Sequence, residues 1–102
     1  MSRNFYQNLG ILRRANLLLM GTKLHEAIAQ RKVFLVVIAM DASQKSKKTI
    51  LNKCKYYDCP IIFYGERQTL SKAIGKNDIV AIGILDQSFA SKIYEQLKEV
   101  VS

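Results

Sequence analysis

Tryptophan is absent from these 102 residues, proline and histidine occur once each, and there are only five glycines and two cysteines. So little proline and glycine excludes collagen-like, linker-like and low-complexity chains. A single histidine (His25) and two cysteines (Cys54 and Cys59) that are not spaced C-x-x-C leave no metal-ligand pattern. Two cysteines are also too few for a disulfide scaffold, so both read as reduced thiols in a cytoplasmic protein. The longest apolar run, Val33 to Met40, has eight residues, whereas crossing a bilayer takes about 20. The polar start, Met1 to Asn8, lacks the apolar stretch of a secretion signal. No G-x-S-x-G, phosphate-loop or G-x-G-x-x-G motif occurs, and no nucleophile, base and orienting group can be assembled around one histidine. The chain reads as a non-enzyme without a metal or cofactor.

Acidic residues are scarce. Eight Asp and Glu stand against sixteen Lys and Arg, a net charge of +8. Through Tyr57 there are eleven basic and two acidic residues (Glu26 and Asp41), or +9; from Asp58 onward there are five basic and six acidic, or −1. Such a field favours a polyanionic partner, either nucleic acid or an anionic surface.

The rest of the composition is globular, with 49% hydrophobic residues, and the length suits one domain over 1–102. Phe5, Leu9 and Leu12 recur at helical spacing within Asn4 to Arg14. Leu17 to Met20 reads as a brief strand. Thr22 is a candidate N-cap for a helix over Lys23 to Gln30, with Leu24, Ala27 and Ile28 inward. The continuous, β-branched run Val33 to Met40 predicts a strand covered on both faces. Ser43 then caps a helix to about Tyr57, with Ile50, Leu51, Cys54 and Tyr57 on one face and lysines 45, 48 and 55 pointing away. A third strand spans Ile61 to Tyr64 and a fourth helix Arg67 to Ile74, with Leu70, Ala73 and Ile74 inward and Gly75 as its C′ residue. After the polar turn Lys76-Asn77-Asp78, a fourth strand covers Ile79 to Leu85. Asp86 or Ser88 caps a last helix to about Val101, with Phe89, Ile93, Leu97 and Val100 inward. Strands alternating with helices of crossover length predict an α/β domain with helices on both faces of a sheet.

Few residues stand out chemically. His25 lies in a predicted helix and reads as a surface or partner-contacting group. Asp41, at a strand's C-terminal end, is equally a functional carboxylate or a capping residue. Nothing near Cys59 in sequence marks it as an activated thiolate. Gly21-Thr22-Lys23 brings backbone N–H groups, a hydroxyl and an ammonium to a helix start, a phosphate-binding combination as well as an ordinary cap. Arg31-Lys32 closes the same helix and could reach a second backbone segment or simply complement its negative end.

Taken in order, Gly21-Thr22, a helix ending at Arg31, VFLVVIAMDAS, a long helix to Cys59-Pro60, a strand and RQTLSKAIG resemble the kink-turn-binding ribosomal protein superfamily. That superfamily includes large-subunit ribosomal proteins seven-A and thirty, and the likeness is nearest its bacterial YlxQ-like branch. The resemblance covers about residues 5 to 101 and implies a three-layer α/β/α sandwich with a mixed four-stranded sheet. It further implies a monomeric, non-catalytic binder of structured RNA, ribosomal or ribosome-associated. The RNA contacts it implies are Gly21, Thr22, Lys23, Arg31, Arg67, Lys76 and Asn77. The family usually carries Asn-Glu after Gly-Thr and a Lys three residues beyond the Glu; Lys23, Leu24 and Ala27 stand at those positions here. Leu24 and Ala27 cannot make base-edge hydrogen bonds, so altered base readout is expected. The nucleotide-holding loop, usually apolar at its tip, is here Lys76-Asn77-Asp78. The alternative is a protein–protein adaptor of the translation or transcription machinery that uses the basic face.

Overall fold

The computed structural model describes residues 2–101, and the surroundings of side chains 5–97. Nine elements follow in order: α1 (Ser2–Arg14), β1 (Leu18–Leu19), α2 (Gly21–Ala29), β2 (Leu35–Ile38), α3 (Gln44–Tyr56), β3 (Ile61–Phe63), α4 (Arg67–Ala73), β4 (Ala81–Ile84) and α5 (Gln87–Val101). The strands form one sheet in the order β1-β4-β2-β3. β2 and β3 run parallel, with Val36 opposite Ile61 and Ile38 opposite Phe63. β4 runs antiparallel to both neighbours, pairing Val37 with Ile82 and Leu19 with Gly83. The sheet is therefore mixed, as expected. α1 packs on α4, α2 packs on α3, and α5 lies against β2, β3 and β4, which completes a three-layer α/β/α sandwich.

Burial explains why each segment took its element. All four residues of β2 and all four of β4 are buried, because these central strands are covered on both faces. Phe5, Leu9 and Leu12 of α1, Leu24, Ala27 and Ile28 of α2, and Ile93 and Leu97 of α5 join the same core. Leu51, Tyr57, Ala73 and Phe89 are only half-buried, at its margin. Val100 lies outside the described side chains.

Boundaries differ from the sequence reading by a residue or two at several elements, α2, β2 and β4 among them. The N-cap of α2 is Met20, two residues before Thr22, and Gly21 enters the helix with a left-handed φ of +65°. The run Val33–Met40 is strand only over Leu35–Ile38; backbone bonds continue beyond it, from the Phe34 N–H to the Ile84 carbonyl at 2.9 Å and from the Ala39 N–H to the Val80 carbonyl at 2.8 Å, while the Phe34 and Met40 side chains are exposed. Likewise the stretch 79–85 is strand only over Ala81–Ile84. Other caps match: Ser43 accepts from the Ser46 N–H at 3.1 Å, and Asp86 rather than Ser88 accepts from the Phe89 N–H at 2.8 Å.

Gly83 in β4 sits where Leu24 of α2 presses onto the sheet. A methyl group added there would overlap Leu24 Cδ1 and come within 3.2 Å of a Val33 methyl. Leu24 is fully buried in the core, so making room for the methyl group requires the packing around it to shift. Gly83→Ala should therefore destabilise the fold by about 1–3 kcal/mol, as overpacked cores do. Urea denaturation checks this, as a lower midpoint at unchanged slope.

Candidate nucleic-acid interface

A helix of only seven residues, α4, lies too short to persist unaided. Side chains from other elements hold both of its ends. At its start, Glu66 supplies no capping bond, and the Asp41 carboxylate reaches across from the end of the β2 segment to accept the Arg67 N–H at 2.8 Å. Of the two roles open to Asp41, the structure shows the capping one. At its finish, Arg13 Nε donates to the Ile74 carbonyl at 3.2 Å. Gly75 takes a left-handed φ of +68°, and the Lys76 N–H returns to the Ser71 carbonyl at 2.9 Å, which closes the helix with a Schellman turn. The Ser71 hydroxyl, buried, accepts the Ile79 N–H at 2.8 Å and pins the far side of the loop.

The loop thus fixed presents Lys76, Asn77 and Asp78 outward, all exposed. On one side of it lies an open groove of about 1030 Å³, lined by Asp41, Arg67, Gln68, Lys72, Lys76 and Asn77 among others. On the other side lies a smaller depression of about 250 Å³ between Arg13, Asn16, Met20, Lys23 and Lys76. Lys76 borders both, and these two adjoining depressions, here called the furrow, lie between the start of α2 and the end of α4. Its cationic groups are Arg13, Lys23, Arg67, Lys72 and Lys76. Asp41 is engaged as a cap, and Asp78 pairs with Arg67 at 3.6 Å. That pair is largely exposed and so costs little to open.

At the start of α2, the N-cap residue Met20 makes no side-chain capping bond, so the leading N–H groups keep their donor capacity beside exposed Gly21, Thr22 and Lys23. A furrow with a cationic rim and a helix N-terminus in its wall suits phosphate oxygens.

The predicted set is not brought together whole. Arg67, Asn77 and Lys76 line the larger groove and Lys23 and Lys76 the smaller depression; Gly21 and Thr22 line neither, and lie in the chain between the lining residues Met20 and Lys23. Arg31 stands at the opposite end of α2, where its guanidinium donates to the Tyr57 carbonyl at 3.1 Å and lies 5.7 Å from the centre of that ring. There it ties the end of α2 to the end of α3. Arg13 is the residue sequence reasoning missed. It closes α1, and the fold places it around the smaller depression with Lys23 and Lys76. Leu24 and Ala27 are buried core residues. The exposed pair at the same three-residue spacing on α2 is Lys23 and Glu26, one position earlier. His25 is half-buried, and burial together with the Lys53 charge holds its pKa below the ordinary histidine value. Among the described residues, no group of three or more His, Cys, Asp and Glu gathers as a metal site, and no helix is long and apolar enough to cross a membrane.

Comparison with known proteins agrees with this architecture. The RNA-binding protein YlxQ of Bacillus subtilis (strain 168) is 33% identical over 90 residues, covering 87% of this chain and 90% of that protein. The RNA-binding protein YlxQ of Enterococcus faecium is 34% identical over 91 residues, covering 88% and 87%. A solved structure of a protein with unknown function from Bacillus halodurans C superposes with a TM-score of 0.79 at 39% identity, covering 85% of this chain and 89% of that one. The model of the ribosomal protein L7Ae/L30e/S12e/Gadd45 family matches residues 3–94, and the chain belongs to that family.

Proposed function

We propose that this protein is a non-catalytic, monomeric, cytoplasmic RNA-binding protein that holds structured RNA in the furrow between α2 and α4, as a ribosomal or ribosome-associated factor. The observation that carries the reading is the meeting of Lys23 and Lys76 around one depression, beside a helix start whose N-cap makes no side-chain bond. The names of the YlxQ relatives support an RNA partner. Arg67, Lys72 and Asn77 extend the contact along the larger groove, and Arg13 adds a cation that is partly committed to the Ile74 carbonyl.

Shape and backbone carry most of this recognition. The RNA strand passes its phosphates over the α2 N-terminus and Lys23, while Lys76-Asn77-Asp78 receives an unstacked nucleotide. We infer a kink-turn-like fit with altered base readout: Leu24 and Ala27 face the core, so Lys23 and Glu26 are the α2 side chains available to base edges. Lysines 45, 48 and 55 on the exposed side of α3 supply long-range attraction.

Titration of a kink-turn RNA against a duplex of the same length tests the reading. The kink-turn RNA should bind more tightly; equal affinities would leave general RNA binding without the kink-turn fit, and binding to neither would remove the function. Lys23→Ala and Lys76→Ala should each weaken binding and lower the slope of log affinity against log salt by about 1, one phosphate contact apiece. Arg31→Ala should instead lower thermal stability, with a smaller change in RNA affinity.

Ser71→Ala strips the Ile79 N–H of its acceptor, at a cost of about 1–3 kcal/mol. Because that bond fixes the loop that carries Lys76, RNA affinity should fall as well, although Ser71 is buried and touches no RNA. Thermal denaturation and binding, measured on the same preparation, check both effects.

A further inference from the structure

The end of α3 brings the chain's two cysteines face to face. Asp58 takes a left-handed φ of +56°, the Cys59 N–H donates to the Cys54 carbonyl at 2.8 Å, and the Asp58 N–H donates to the Lys55 carbonyl at 3.4 Å. Those two bonds define a Schellman turn, and the side chains it characteristically presses together are the ones at these two positions. Standard bond lengths plus the 2.8 Å link keep the two Cα atoms less than about 7 Å apart. Disulfides span about 4.4–6.8 Å between Cα atoms, so the turn already holds the backbone at bridging distance.

The thiols differ in kind. Cys54 is buried, whereas Cys59 is half-exposed and its Sγ lies 3.5 Å from the Val33 carbonyl. The neighbouring Cys54 thiol holds the pKa of Cys59 below the ordinary thiol value, while the Cys59 neighbour and burial push the Cys54 thiol up. In sequence nothing marked Cys59 as activated; its activating neighbour is Cys54, one turn back.

We propose that Cys54 and Cys59 form a dithiol site that a small disulfide, of the oxidised-glutathione class, converts to an intramolecular disulfide. Cys59, having given its proton to solvent, attacks one sulfur of the oxidant and displaces a thiolate, leaving a mixed disulfide on Cys59. Cys54 then attacks Cys59 Sγ while its proton passes to the second oxidant sulfur, which departs from Cys59 as a thiol; the first thiolate takes a proton from water. Two protein thiols are oxidised and one small disulfide is reduced to two thiols. Cys59 is the accessible attacking group, and Cys54 needs no exposure because its target is already in contact.

The test is to incubate the intact native chain with oxidised glutathione near neutral pH, then measure intact mass and free thiols. The expected product is a monomer lighter by two hydrogens, with both thiols lost and both recovered on reduction. Cys54→Ala should stop at a stable glutathione adduct on Cys59, and Cys59→Ala should stay unmodified while folded. A persistent adduct on the native chain, a disulfide-linked dimer, or reaction only in denaturant would each overturn the proposal. The native-chain measurement stands whether or not the variants fold.

Discussion

Everything proposed for this surface depends on a seven-residue helix that cannot hold itself. α4 is anchored by three bonds from outside its own ladder: Asp41 at its first N–H, Arg13 at the Ile74 carbonyl, and Ser71 across the loop that follows. Each anchor comes from, or leads to, a different part of the fold. Asp41 ends the central strand segment, Arg13 ends α1, and Ile79 leads into β4. The loop 75–78 is therefore set by the sheet and α1 together, and Lys76 stands at a fixed place opposite Lys23. A loop ordered before its ligand arrives loses less conformational entropy on binding.

Charge works on two scales in this molecule. The excess of +9 before Asp58 comes in large part from lysines of α3, of which Lys45, Lys48 and Lys55 are exposed and none lines the furrow. Such charges raise the local concentration of a polyanion without selecting its shape. The furrow uses a smaller set drawn from both sides of that division: Arg13 and Lys23 before it, Arg67, Lys72 and Lys76 after it. In the proposed function, steering and holding fall to different residues.

Much of the fold was legible from pattern alone. The β-branched run at Val33–Met40 and the spacing of Phe5, Leu9 and Leu12 each report which residues avoid water, and burial agrees for all of them except Phe34 and Met40. Gly75 was readable as a helix stop because few residues other than glycine accept its φ of +68° easily. What periodicity does not encode is which distant group a polar side chain meets. Arg31 and Arg13 look alike at helix ends, yet one locks α2 to α3 and the other faces the furrow. Ser71 carries no sequence signal, since its partner is eight residues away across a turn. The spacing of Leu24, Ala27 and Ile28 already reads as the inward face, and all three are buried, so the family's base-reading positions, aligned by sequence, fall here on core residues.

The most direct test of the central claim is to follow backbone amide resonances while a structured RNA is titrated in. Shifts concentrated at Gly21–Leu24 and Gly75–Asp78, with Arg13 and Arg67 alongside, are the predicted result. Shifts confined to the lysines of α3, or to the opposite end of the sheet around Phe34, would contradict it.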